Sequence, residues 1–289
     1  MSNYPSGIGV IDTMIGVPKP DRTEWYLQFD GLLRDQESRG RLQHGAGYMF
    51  KQPPQVTIDD GYPDFLVREM DSHGVERSMI PVTSEEPYGL AALKKYPDRF
   101  LGSFYVDPNK GMEGVRELER AVRDWGVVAA TAFPAGYFPQ VPINDKRFYP
   151  IYAKCIELGI PIFMNAGVPG PRFPFAAQHV ELLDEVCWFF PELTIVTRHG
   201  CEPWADLAVK LMLKYPNLYY STSAFAPQYY PKAIVEYANT RGADKMIFAG
   251  YFPSGLSYDR IFSELPDVPF RDHVWPKFLR ENALRVLGV

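Results

Sequence analysis

One piece of punctuation recurs along the chain and constrains its fold more than any other feature. A helix-like stretch ends in an aromatic residue followed by proline, then a short polar step, then an apolar run of strand length. It occurs as KKYPDRFLGSFYV at 94–106, WFFPELTIVT at 188–197 and KYPNLYYST at 214–222. Proline cannot continue the preceding helix, because it has no N–H to donate and its ring clashes with the turn before it. The β-branched and aromatic residues that follow favour a strand. Each instance is a helix-to-strand joint, the same corner of a repeated unit.

Around these joints, strands are expected over Ile8–Ile15, Arg77–Val82, Leu101–Val106, Val127–Ala132, Ile160–Asn165, Leu193–Arg198, Leu218–Thr222 and Lys245–Gly250. Helices are expected over Pro63–His73, Gly89–Lys95, Gly111–Asp124, Phe148–Leu158, His179–Phe189, Trp204–Leu213, Pro231–Thr240 and Trp275–Leu287. From the second strand on, strand starts lie roughly 25–33 residues apart, the size of one βα unit. Eight units in 289 residues match a single α/β domain over residues 1–289, a (β/α)8 TIM barrel. A doubly wound sheet is the runner-up, but no GxGxxG run follows any strand.

The first connection breaks the rhythm. About 45 residues, rich in Pro, Gly, Asp and Arg, separate the first strand from the first helix, a loop at about 16–58. Connections that long are uncommon in compact domains unless they have a function. Within it, RLQHGAGYMFKQPP at 41–54 reads as a lid, a pocket wall or a dimerisation arm.

Charge and composition narrow the function classes. A formal net charge of -5 argues against a nucleic-acid groove, which needs clustered Lys and Arg. No apolar run reaches the about 18 residues of a membrane span, so no membrane partner is expected. The first residues lack the basic start and apolar stretch of a signal peptide. Cys155, Cys187 and Cys201 have no CxxC spacing, which reads as free thiols in a reducing compartment. A cytoplasmic enzyme acting on a small molecule is the expectation. Aromatic residues make up 15% of the chain, a surplus suited to a pocket lining or the interface of a homodimer.

In such a barrel the chemistry belongs to the C-terminal ends of the strands. That rule selects Asp12, Asn165, His199, Tyr251 and Ser221. His199 ends an apolar strand, a sensible place for an imidazole that moves protons; the alternative is a histidine hydrogen-bonded under a loop. Strand alternation then sends Arg198 to the helical layer. Asp12 shares parity with Met14 and Gly16 and is expected to face the interior, orienting His199, acting as a base with a raised pKa, or serving as a buried structural carboxylate. Asn165 offers an amide to an oxyanion. Arg172, in the loop after the fifth strand, is a candidate clamp for an acidic substrate. His44 in the first loop is a second acid–base candidate, and Trp204 follows His199 in the next loop. Met14, Thr131, Phe133, Tyr137 and Phe138 suggest an apolar, aromatic cavity for a flat or cyclic substrate.

The runs GVIDTMIGVP (9–18), LGIPIFMNAG (158–167), FPELTIVTRHGCEPW (190–204), KMIFAGYFP (245–253) and RENALRVLGV (280–289) resemble the amidohydrolase-2 family. This amidohydrolase-related group includes metal-dependent decarboxylases similar to aminocarboxymuconate-semialdehyde decarboxylase. The resemblance spans nearly the whole chain, in order. It implies a catalytic metal held by two histidines on the first strand, a histidine on the fifth and an aspartate on the eighth. Here those positions are Met14, Gly16, Asn165 and Tyr251. His199 matches the histidine that the resemblance assigns to acid–base chemistry.

With those ligands replaced, no metal or other cofactor is expected, and His199, Asp12, Asn165 and Tyr251 form the expected catalytic set. The expected reaction is metal-independent hydrolysis of an activated cyclic or aromatic carbonyl compound, such as a lactone or diketone. Alternatives are a non-oxidative decarboxylase and a catalytically inactive ligand-binding relative.

Overall fold

The computed structural model describes residues 4–18, 29–40, 48–50, 53–56, 61–85 and 87–289. Eight parallel strands lie in one sheet in sequence order. They are β1 (Val10–Asp12), β2 (Val75–Val82), β3 (Phe100–Tyr105), β4 (Val127–Ala132), β5 (Ile162–Asn165), β6 (Ile195–Arg198), β7 (Leu218–Ser221) and β8 (Met246–Ile247). The intervening helices are α1 (Gln36–Gly40), α2 (Asp64–Ser72), α3 (Pro87–Lys95), α4 (Met112–Trp125) and α5 (Tyr149–Leu158). They continue with α6 (Leu182–Phe189), α7 (Ala205–Lys214), α8 (Lys232–Tyr237), α9 (Tyr258–Glu264) and α10 (Asn282–Leu287). The expected strand order and barrel class hold. The short α1 and α9 were not foreseen; neither carries enough apolar periodicity to announce itself.

Why the sheet curls shut is visible in its side chains. Ile11, Met79, Leu101, Ala129, Phe163, Val196 and Ile247, one from each of seven strands, pack together as the barrel interior. Ala283 and Leu287 of α10 join them and stopper the N-terminal end. The opposite strand faces pack against the helices in the larger outer core. At the seam, the Thr13 amide donates to the Phe248 carbonyl (3.2 Å) and Thr13 Oγ1 to the same oxygen (2.9 Å). Gly16 donates to Phe252 (2.7 Å), where Ile15 and Phe252 form a parallel bridge.

β1 and β8 are shorter than their apolar runs suggest because side chains and helices take over their ladder. The Gly250 amide donates to the Asp12 carboxylate (2.8 Å), and the Phe248 amide to the Phe278 carbonyl (3.0 Å).

The aromatic–proline joints have a shared construction. In the first, Lys95 Nζ and Tyr96 Oη both donate to Asp64 of α2, at 2.6 and 3.0 Å. In the third, Lys214 Nζ and Tyr215 Oη both donate to Asp184 of α6, at 2.6 and 2.8 Å. The Lys-Tyr-Pro step thus clasps each helix end to the start of the helix before it. The clasps are half exposed, so solvent screens their charges; they fix where the helix stops. All three cysteines are buried and free, with burial pushing each thiol up to about 12. No helix among the described residues is long and apolar enough to cross a membrane.

Candidate functional site

The C-terminal mouth of the barrel is built around the end of β6. Val196 and Phe163 face the interior, so period-two alternation places Arg198 and Asn165 there too, two residues further up. Asn165 and Arg198 are register partners across β5 and β6. The Arg198 guanidinium lies over the Phe163 ring, 5.6 Å from its centroid, and its Nε is buried with no hydrogen-bond partner among the described residues. This corrects the expectation that Arg198 faces the helical layer.

Alternation stops at His199, whose φ of 62° turns the chain out of the strand. The left-handed turn lets two consecutive side chains serve one cavity, which a straight strand forbids.

The turn also fixes the imidazole. The His199 amide donates to Ser223 Oγ (3.0 Å), and the same hydroxyl lies 3.1 Å from Nδ1. The ring meets Tyr251 edge to face, with centroids 5.4 Å apart. Tyr251, also at positive φ (63°), stacks against Phe50 of the first long connection at 5.7 Å. Burial, reinforced by the adjacent Arg198 charge, lowers the His199 pKa to about 3, so the imidazole is neutral at physiological pH. Burial likewise lowers the Arg198 pKa to about 10, which leaves the guanidinium charged at pH 7.

Asp12 does not face the mouth. It is fully buried, with Oδ2 accepting from Tyr258 Oη of α9 (2.7 Å). Its Oδ1 accepts from the amides of Gly250 (2.8 Å) and Met14 (2.9 Å). The parity argument failed for a local reason. Val10 and Ile15, one even and one odd, both pack in the outer core, so alternation slips between them. The Asp12 carboxylate captures the Met14 amide, replacing a ladder bond with a side-chain one. Desolvation raises the Asp12 pKa to about 6 against the opposing pull of its three donors and Arg198.

The other expected residues divide. Thr131 is nearly buried and in register with Phe163, on the interior wall. Phe133 belongs to a small core with Phe29, Leu33, Ala135 and Phe173, which roots the first long connection against the loops after β4 and β5. Arg172 is engaged elsewhere. Its Nη1 donates to Asp35 (3.2 Å) and Glu37 (2.8 Å), with Tyr48 stacked on its guanidinium at 5.0 Å. Trp204 packs against His179 (3.9 Å) and Phe175 (5.2 Å). Ser221 donates to the Thr197 carbonyl (2.9 Å), tying β6 to β7. Met14 is partly exposed, and its carbonyl takes the Tyr251 amide (3.1 Å). His44 lies outside the described residues.

Sequence reasoning missed Ser223 and misplaced Arg198. Ser223 was findable, since it sits just past β7 where the barrel rule looks. Arg198 follows the alternation of β6 itself; the left-handed turn at His199, which upset the reading, leaves no compositional trace.

The amidohydrolase family model matches residues 72–289, well over half the chain. A curated relative, 2-keto-4-carboxy-3-hexenedioate hydratase from Sphingobium sp., is 25% identical over 122 residues, 36% of each chain. The chain thus spans about a third of the length of the curated relative it matches. Among solved structures, it is similar to an uncharacterised TIM-barrel protein from Bordetella bronchiseptica, with a TM-score of 0.73 at 24% identity, covering 96% of this chain and 98% of that one. It is also similar to 5-carboxyvanillate decarboxylase from Novosphingobium aromaticivorans, complexed with manganese and 4-hydroxy-3-methoxy-5-nitrobenzoic acid. There the TM-score is 0.72 at 16% identity, with complete coverage of both chains. At these identities the structural likeness shows the fold.

The residues described here do not fit a divalent ion of the kind that neighbour holds. Asp12 already accepts three hydrogen bonds and points outward. A side chain at Gly16 would meet Ser254 Oγ, 2.6 Å from where a Cβ would stand. Position 14 offers a thioether and position 251 a phenol, poor partners for a hard cation. Among the described residues, no three His, Cys, Asp or Glu side chains converge.

Proposed function

The chain belongs to the amidohydrolase family, and from that premise we propose that it is an enzyme hydrolysing a small, activated cyclic carbonyl compound, a lactone or cyclic diketone, without a catalytic metal. The observation that carries this reading is the placement of His199. It is a neutral imidazole at the mouth of the barrel, tethered through Nδ1 to Ser223 (3.1 Å) with Tyr251 against its ring.

In the tautomer with Nδ1 protonated toward Ser223, the Nε2 lone pair is the base. It takes a proton from water as the water oxygen attacks the carbonyl carbon. The electron pair of the C=O moves onto oxygen, where the Asn165 amide and the Tyr251 hydroxyl donate to the developing charge. Collapse of the tetrahedral intermediate expels the ring oxygen or carbon, which takes the proton back from His199. A base this weak suits only a substrate whose carbonyl is already electrophilic, hence the restriction to activated rings.

The matched stretch of the Sphingobium hydratase supports water addition as the chemistry. The decarboxylase neighbour supports a second reading, in which His199 would act in protonating a ring carbon as carbon dioxide departs. Turnover of lactones and diketones, followed by pH-stat titration with and without chelator, tests the first. Carbon dioxide evolved from ring acids, with no acid released from lactones, would replace it with the second. Full activity in His199→Gln would sink both.

A further inference from the structure

The first long connection touches the mouth of the barrel on two distant sides. Tyr48 Oη donates to the Gly170 carbonyl (2.7 Å) in the loop after β5. Two residues on, the Phe50 ring stacks against Tyr251 (5.7 Å) in the loop after β8. β5 and β8 stand three strands apart in the sheet of eight, and two residues of chain reach about 7 Å at most. The segment therefore crosses over the mouth instead of skirting it. Tyr48 and Met49 are half exposed, whereas Phe50 turns inward.

Phe50 enters a prepared seat. The Gly255 amide closes the turn that carries Tyr251, donating to the Tyr251 carbonyl (3.3 Å). A Cβ at position 255 would stand 2.6 Å from Phe50 Cε1, so glycine there admits the ring. Tyr251 itself, at a φ of 63°, keeps a conformation that a non-glycine residue holds only where its surroundings enforce it. Its ring meets Phe50 and the His199 imidazole together. From the β5 side, Arg172 stacks on Tyr48 (5.0 Å) and donates to Asp35 (3.2 Å) and Glu37 (2.8 Å). One side chain thus ties two parts of the connection to the loop after β5.

We propose that Phe50 is a positioning residue: it seats the Tyr251 ring against His199 and controls access to the imidazole, with Arg172 holding its segment in place. It does so whichever reaction His199 serves.

Diethyl pyrocarbonate tests this without turnover, because it acylates neutral imidazole and His199 is neutral at physiological pH. Labelling of the full-length protein is followed over time by peptide mass spectrometry, with His199→Gln identifying the His199 signal. Exposed His273 is the rate standard, and His179, packed on Trp204 (3.9 Å), reports general loosening. In the wild type, His199 is expected to react more slowly than His273. Phe50→Ala should raise the His199 rate by about tenfold, the weight of one lost aromatic contact, and leave His179 unchanged. Phe50→Tyr, which keeps the ring, should restore the slow rate. Gly255→Ala displaces the ring while leaving Phe50 in the chain; it should match Phe50→Ala and serves if that variant does not fold. Arg172→Met should raise the rate by about threefold.

An unchanged His199 rate in Phe50→Ala or Gly255→Ala would overturn the assignment. So would equal acceleration of His199 and His179, or failure of Phe50→Tyr to slow the reaction. An unchanged rate in Arg172→Met would overturn the part given to Arg172. Failure of the hydrolytic reading alone would show as absent turnover with this labelling pattern intact.

Discussion

Two acid–base groups at the top of the barrel, Asp12 fully buried and His199 partly so, respond to pH in opposite senses, because desolvation penalises the charged form of each and those charges are opposite in sign. His199, held near Arg198, Ser223 and Tyr251, has its pKa lowered to about 3. Between that value and the ordinary histidine value, the unfolded chain binds a proton that the folded one refuses. Stability is therefore present above about pH 6.5 and lost as pH falls toward 3. Asp12, facing Tyr258 and within the field of Arg198, has its pKa raised to about 6. Between the ordinary aspartate value and 6 the folded chain holds the extra proton, so its contribution grows as pH falls through that window.

The two effects oppose between about pH 4 and 6, and single variants separate them. His199→Gln should lose less melting temperature than the wild type on going from pH 7 to 4, by the equivalent of about 3 kcal/mol. Asp12→Asn should lose more, its amide oxygen still accepting from Gly250 and Met14. Thermal scans across that range check both; shifts in the same direction would contradict the burial assignments. In turnover, His199→Gln should cost about 10²–10⁴-fold in kcat.

At the scale of elements, the seam between β1 and β8 decides what the mouth can become. Gly250 leaves room for the Asp12 carboxylate, and a Cβ there would stand 2.7 Å from Asp12 Oδ2 and 3.1 Å from Tyr258. Gly250→Ala should destabilise by about 1–3 kcal/mol, measured by denaturant unfolding, with little loss in an Asp12→Ala background, where the obstructing oxygen is gone. The same crowding bears on metal binding. Because Ser254 fills the space beside Gly16, the double variant Met14→His, Gly16→His should still purify with well under one equivalent of manganese or zinc by elemental analysis. A full equivalent would mean that the seam yields.

These elements also show what the sequence could and could not carry. The joints at Tyr96–Pro97, Phe190–Pro191 and Tyr215–Pro216 announced the barrel because proline and strand propensity act locally. The interior layer was not read in advance, and on β1 the parity reading turned Asp12 inward where Ile11 stands. The departures arose where a side chain displaced a backbone bond, as at Asp12, or where one residue took a left-handed conformation, as at His199 and Tyr251. Neither event leaves a periodic signal. His199 was singled out by its place at a strand end, while its tie to Ser223 was not foreseen; Arg198 was misread because the rule of alternation was applied one residue too far.

At the scale of the whole molecule, barrels of this kind set stability and chemistry at opposite ends of the same strands. The N-terminal end is closed by α10, and one buried side chain fastens it. Asn282 donates from Nδ2 to the carbonyls of Ala243 and Met246, both at 2.7 Å, while its oxygen accepts from Arg285 (2.9 Å). Arg285 in turn reaches Tyr219 Oη (3.0 Å) on β7, and α10 carries Ala283 and Leu287 into the interior layer. Asn282→Ala strips the acceptors of β8 of their donors where water cannot replace them, a cost of about 2–3 kcal/mol. It does so at the far end of β8 from Tyr251. The expected outcome is a lowered midpoint in denaturant with kcat and KM unchanged below the new transition. A fall in kcat at temperatures where the variant remains folded would mean that the stopper sets the spacing of the mouth as well, and that the two ends of this barrel are mechanically coupled.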